Sequence, residues 1–283
     1  VLVDGLAFSA MPEVMANHAA RLPFVALVHH PLGYETGLPD KCADFLVSQE
    51  REALRHARGV LVTSTTTFRT LLNDFGVPAD RMRAAMPGTD EAPIAVGSNT
   101  DTIALLAVGS VLPRKDFAGL VAALAPSSGL PWTLTIAGST KRDPTEVRRL
   151  RDEIDRHGLG ERVVLAGELE TSFLAKLLDR TDLFVSSSRY EGFGMALSEA
   201  VARGLPIVAV AGGAVADWMD PEATLLVPPE DPPALQQALG QALSNPDLRA
   251  RLRRAALVAR ERLPTWSDCA RQADALLRSL LPA

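Results

Sequence analysis

The stretch "SSSRYEGFGMALSEAVARGLPIVAV", residues 186–210, sets two carboxylates eight positions apart, with Glu191 ahead of a glycine pair and Glu199 inside the helical run that follows. An apolar strand, "DLFVSS", leads into it and ends in serines and Arg189-Tyr190. Gly192 and Gly194 let the backbone approach a ligand closely, and the free amides of a helix start attract an anion. Glu199, about five residues into the helix, stands roughly 7–8 Å along its axis. Carboxylates accept hydrogen bonds from sugar hydroxyls. A ligand with phosphates at the helix start and hydroxyl-bearing groups on either side, such as a nucleotide carrying a sugar, fits this order. The Glu-x7-Glu spacing alone is a chance pattern in an acidic chain; strand, E-G-F-G loop and helix together make it a site.

A second candidate is "LLAVGSVLPRKDFAGLVAAL", residues 105–124, where a strand ends in Gly109-Ser110 and a short loop delivers Arg114 and Lys115 to a predicted helix start. Two cations beside free amides can neutralise a diphosphate, although a solvated basic turn reads the same way. The third is "FVALVHHPLGYETG", residues 24–37, where His29 and His30 close a buried strand and a proline stops the run. Two histidines at a strand's carboxyl edge point to a site more than to a polar cap. His18, His56 and His157 make no ligand spacing with them, so no metal is expected.

The elements that must position these residues alternate from end to end. Apolar runs predict strands at 1–3, 24–29, 59–63, 82–86, 103–108, 132–137, 162–166, 182–187, 206–210 and 224–227. Most are apolar throughout, as parallel strands covered on both faces are. Helical patterns fall at 41–58, 65–75, 115–125, 144–158, 171–179, 194–203, 232–244 and 246–262, with a last helix begun by Pro264 and Ser267. Such alternation implies right-handed βαβ crossovers and doubly wound sheets, outside whose strand carboxyl ends ligands sit. The aperiodic stretch "PGTDEAPIAVGSNTD", residues 87–101, reads as a linker.

The whole chain has 283 residues, 47% of them hydrophobic and 22% charged, with a net charge of −5. That is a globular mixture without the basic surface that nucleic acid demands. Cys42 and Cys269 form no C-x-x-C or ligand pattern and are expected as reduced thiols. No apolar run reaches the ~18 residues of a membrane span. "VLVDGLAFSAMPEV" lacks a basic leader and reads as the middle of a protein, so an original start is expected to be missing. No G-x-G-x-x-G follows any strand, which argues against a nicotinamide oxidoreductase.

Taken together, "VGSVLPRKDF", "TLTIAGS", "VVLAGELETSFLAKLLDRTDLFVSSSRYEGFGMALSEAVARGLPIVAV" and "GGAVADW…LLVPPEDPPAL" resemble, in that order, the donor domain of the family-4 retaining glycosyltransferases of the GT-B fold. "HHPLGYETGL" and "PGTD" are similar to that family's N-terminal domain, and Trp266 with the last helix to its crossover. The resemblance implies an α/β chain of two Rossmann-like, doubly wound domains facing a cleft, the N-terminal one incomplete. Its expected parts are an acceptor-side remainder over 1–92, a donor domain over 93–264 and a returning helix over 265–283.

What the resemblance further implies is a nucleotide-diphospho-sugar donor, UDP- or GDP-linked. Glu191 and the amides of Gly192, Phe193 and Gly194 would hold the donor sugar, and Glu199 the ribose hydroxyls. Lys115 would bind the diphosphate, with Gly109, Ser110, Arg114, Gly138 and Met195 around it. The backbone at Glu168-Leu169 would face the base, and His29, or else His30, would touch the transferred sugar or its phosphate. The catalytic set implied is His29, His30, Lys115 and Glu191, acting with retention, without a metal or other cofactor. The acceptor could be a sugar, glycan, lipid or small molecule, and the setting cytoplasmic with room for peripheral membrane contact. Ser110 departs from the arginine that many relatives carry there, and Arg114 is placed to compensate. The alternatives are a non-catalytic sugar-nucleotide-binding protein or a fragment lacking transfer activity, and, further off, a sugar-nucleotide epimerase.

Overall fold

The computed structural model describes residues 1–280. Its described residues divide into two units, one of residues 1–88 with 264–280 and one of residues 89–263, the first break four residues ahead of the expected 92/93 boundary. Residues 281–283, the end of the expected returning helix, lie outside the described residues.

In the first unit the chain runs β1 (Leu2–Asp4), α1 (Gly5–Ser9), α2 (Pro12–His18), β2 (Val25–Val28), α3 (Asp40–Arg55), β3 (Gly59–Val62), α4 (Thr65–Asn73) and β4 (Met82–Ala84). The strands form one parallel sheet in the order β1-β2-β3-β4. Their side chains alternate between two covered faces. Ala26, Val28, Val60 and Val62 pack with Phe8, Leu54 and Leu71 on one side, while Val25 and Leu61 pack with Ala85 and Leu276 on the other.

The second unit runs β5 (Ile103–Val108), α5 (Phe117–Leu124), β6 (Trp132–Ala137), α6 (Pro144–Arg156), β7 (Val163–Gly167), α7 (Thr171–Asp179), β8 (Leu183–Ser186), α8 (Met195–Ala202), β9 (Ile207–Val210), α9 (Val215–Trp218), β10 (Thr224–Val227), α10 (Pro232–Ser244) and α11 (Pro246–Ala259). Its sheet is wholly parallel, in the order β10-β9-β8-β5-β6-β7, so the order reverses between β5 and β8. Leu105, Leu134, Ile136 and Val185 enter the core beneath α5, α6 and α10; Leu106, Phe184 and Ile207 enter the one beneath α8 and α11. The final helix, α12 (Trp266–Ser279), returns to the first unit and sets Leu276 in the same core as Val25 and Leu61. Its cap is Thr265, closed by Asp268 in a capping box, and not Pro264 or Ser267.

Candidate functional site

The carboxyl ends of β5, β6 and β7 are drawn together by backbone. Gly109 N donates to Ala137 O at 2.8 Å and Gly138 N to Gly167 O at 2.8 Å. A Cβ on Gly138 would lie 2.0 Å from the Gly109 oxygen, so only glycine lets these loops meet. A Cβ on Gly109 would lie 2.7 Å from Lys115 Cε, which shows the lysine folded back over the strand end. Ser110 is half-buried beside it, and Glu168-Leu169 leave β7 just after Gly167.

Arg114 and Lys115 sit in a 3₁₀ turn, Pro113–Lys115, and α5 begins only at Phe117. The expected helix start at 115 is therefore two residues early; Asp116, in the left-handed region at φ 45°, separates turn from helix. From this turn Lys115 Nζ reaches Glu191 Oε1 at 2.5 Å, and Arg114 Nη1 stands 3.4 Å from Glu191 Oε2. Lys115 and Glu191 are buried. Burial opposes ionisation of Glu191, yet the charge and hydrogen bond of Lys115, then Ser188 and Arg114, outweigh it and hold the carboxyl below its ordinary value.

The E-G-F-G loop is braced from behind by residues whose role the sequence did not reveal. Ala214 N donates to Glu191 O at 2.9 Å. Gly213, at φ 64°, would place a Cβ 2.4 Å from that same oxygen. The Phe193 ring stacks on Trp218 at 5.1 Å and 16°, and Trp218 Nε1 donates to Phe193 O at 2.8 Å. Phe193 thus spends its ring on packing and offers a ligand only backbone. Gly194, at φ 95°, caps α8 without a side-chain hydrogen bond, and Met195 at the helix start is exposed. Glu199, on α8, has its carboxyl raised by burial first, with Arg203 opposing and Asp90 reinforcing.

In the first unit, His29 and His30 leave β2 toward different carboxylates. His29 Nε2 lies 3.3 Å from Asp4 Oδ2, both side chains half-exposed, and His30 Nε2 lies 2.9 Å from Glu35 Oε2. The His29 carbonyl accepts from Thr63 Oγ1 and Thr67 Oγ1, each at 3.1 Å. Beneath the loop, fully buried Glu50 accepts from Ser9 Oγ at 2.9 Å and Leu32 N at 2.8 Å. Its burial raises the carboxyl despite those two bonds and the nearby His30. Asp4 and Glu50 carried no signal in the sequence: one ends a three-residue strand, the other hides in a charged helix.

Lys115, Arg114, Gly109, Ser110, Gly138 and the Glu191–Glu199 segment therefore share one sheet edge in the second unit, and the histidines belong to the first. An ammonium, a guanidinium, a carboxylate and an open helix start on one edge can hold phosphates and hydroxyls. Residues 89–258 match the family model described as glycosyl transferases group 1. The chain belongs to this family. A D-inositol 3-phosphate glycosyltransferase of Acidothermus cellulolyticus is 31% identical over 216 residues, covering 70% of this chain and 48% of that protein.

The solved structure of a sucrose-phosphate synthase from Thermosynechococcus elongatus superposes with a TM-score of 0.84 at 25% identity, covering 99% of this chain and 73% of that one. Anabaena Alr3699/HepE in complex with UDP-glucose superposes at 0.81 with 20% identity, over 98% and 78% of the two chains. The two parallel α/β units are those of the GT-B fold. This group 1 chain spans 48% to 61% of the length of several curated relatives it matches. Among the described residues, no helix is long and apolar enough to cross a membrane.

Proposed function

We propose that this chain is the donor-binding, catalytic part of a retaining glycosyltransferase that moves a sugar from a UDP- or GDP-sugar to an acceptor hydroxyl. The observation carrying this reading is the buried Lys115–Glu191 pair, flanked by Arg114, beside a helix start that no side chain caps. Lys115 and Arg114 hold the diphosphate with the amides of the helix start, in the space that Gly109, Ser110 and Gly138 keep open, while the amides of Gly192, Phe193 and Gly194 join Glu191 at the donor sugar. Glu191, ionised at neutral pH, accepts from the donor sugar's hydroxyls. Glu199 accepts from the ribose, which relieves a carboxylate that burial leaves poorly solvated. The Glu168-Leu169 backbone faces the base, and His29, ahead of His30, is assigned to the transferred sugar or its phosphate.

In the step itself, the bond from the anomeric carbon to the diphosphate oxygen breaks. The acceptor oxygen bonds to that carbon from the same face, and its proton passes to the departing phosphate oxygen. Glu191 lies too deep in its ion pair to act as general acid or base. The protein's contribution is charge stabilisation on the leaving diphosphate by Lys115, Arg114 and the helix amides. These cations take the place of a metal in the reading, so activity should survive EDTA.

The acceptor is a sugar, glycan, lipid or small molecule and not nucleic acid, and the setting is the cytoplasm with room for peripheral membrane contact. Thermal-shift titration with UDP, GDP, ADP and TDP and their sugars tests donor binding. Proton NMR of the product then reads its anomeric configuration. Inversion would end the retaining reading, and binding without turnover would favour a non-catalytic sugar-nucleotide-binding protein or fragment.

A further inference from the structure

Behind the Lys115–Glu191 pair lies a second ion pair of opposite polarity. Asp116 follows Lys115 directly and Arg189 precedes Glu191 by two residues, and the Arg189 Nε and Nη2 atoms stand 3.2 and 3.1 Å from Asp116 Oδ2. Between the two pairs the backbones are stitched. Arg189 N donates to Arg114 O at 2.7 Å, and Ser187 Oγ donates to Lys115 O at 2.7 Å. Asp116 holds the left-handed conformation, φ 45°, that a residue with a Cβ seldom adopts. Its other oxygen accepts from Gly119 N and Arg149 Nη2, each at 3.4 Å, which ties the turn to α5 and α6. A backbone outlier that side-chain contacts over-determine is a place to look for function.

We infer that Asp116 and Arg189 are positioning residues, an outer strut that fixes the 113–116 turn against the 187–191 loop and so sets where the Lys115 ammonium is presented to a donor diphosphate. The inference rests on the reading of Lys115 and Glu191 as donor-contacting residues. It assigns to this chain a pair that touches neither donor nor acceptor. Lys115 and Asp116 pair with different residues of the facing loop, Glu191 and Arg189, so freeing the outer pair loosens the inner one without removing any of its atoms. A fork-shaped guanidinium holding one carboxylate oxygen through two nitrogens resists rotation.

The test compares Arg189→Met, Arg189→Lys and Asp116→Gly with the wild type, glycine being free to keep the left-handed backbone. Lys115 acylation, followed by mass spectrometry on the unliganded protein, reads the strut directly. Asp116→Gly and Arg189→Met are expected to speed labelling at least about threefold through loosened packing. They are expected to weaken donor affinity about fivefold, the scale of a partly exposed pair, with kcat and melting temperature little changed. Arg189→Lys, which keeps the charge, should restore most of the affinity. Unchanged Lys115 labelling in both Asp116→Gly and Arg189→Met overturns the inference. So does a loss of affinity that tracks only a falling melting temperature. If the wild type binds no nucleotide sugar, the proposed function falls, while the labelling rates still decide whether the strut positions Lys115.

Discussion

The two sheets of this chain end in the same kind of strand-to-helix loop, yet they present charge in contrasting ways. At the six-stranded sheet the ions satisfy one another, Lys115 buried with Glu191 and, further out, Asp116 with the exposed Arg189. At the four-stranded sheet the imidazoles of His29 and His30 stand in or near solvent beside Asp4 and Glu35, over a buried carboxyl, Glu50, that faces no cation as close as Lys115 is to Glu191. The first arrangement fixes its groups before any ligand arrives, which is what stabilising developing charge requires. The second leaves its rings adjustable above a fixed backbone.

Breaking the buried pair should have the largest effect. Glu191→Ala leaves Lys115 buried and uncompensated, so we expect about 3 kcal/mol lower stability in denaturant titration and transfer reduced about 10³-fold. Lys115→Ala should lower kcat about 10²-fold, with the Glu191 carboxyl rising from its depressed value once its main counter-charge is gone. His29→Ala should lower turnover about tenfold, yet move stability by no more than about 0.5 kcal/mol, since the side chain is half-exposed. A larger loss of stability at His29 than at Glu191 would reverse the comparison. Trp218→Phe keeps a ring against Phe193 but removes the bond to its carbonyl, and about 1 kcal/mol should go with it.

The smallest effect comes from Glu50 and has a sign set by pH. Its folded carboxyl lies above the ordinary 4.5, so keeping it ionised costs stability at neutral pH. Glu50→Gln, whose amide can both accept from Leu32 N and donate to Ser9 Oγ, should be as stable as the wild type at pH 7 or more so. That advantage should shrink as pH falls toward 4.5, where the wild-type carboxyl takes up its proton. Glu191 runs the other way. Its folded value is depressed, so the stability it adds is complete above 4.5 and is lost as pH falls through the lower folded value.

Sequence and structure agree on the ten strands because each is an apolar run between breakers, the pattern that burial on both faces imposes. Four-residue α9 went unseen, being shorter than two helical turns and so without a readable period, and with it went the role of Trp218. Gly192, Gly194 and the cations at 114–115 stood out because their types are unusual at strand ends. What lay hidden was pairing over distance. Lys115 and Glu191 are 76 residues apart, and nothing local says that they touch. Glu50 sits in "SQEREALRHAR", where an inward carboxylate reads like its solvated neighbours. Asp4 meets His29 only because β1 and β2 are adjacent in register.

In the proposed function the Lys115–Glu191 edge binds a sugar nucleotide by its two ends. Calorimetric titration of the wild type, Lys115→Ala and Glu191→Ala with UDP and UDP-glucose, and with GDP and GDP-mannose, tests it most directly. We expect one nucleotide series to bind the wild type, Lys115→Ala to weaken the nucleotide and its sugar conjugate alike, and Glu191→Ala to weaken the conjugate more than the bare nucleotide. Equal affinities in all three proteins, or no binding by the wild type to either series, would contradict it.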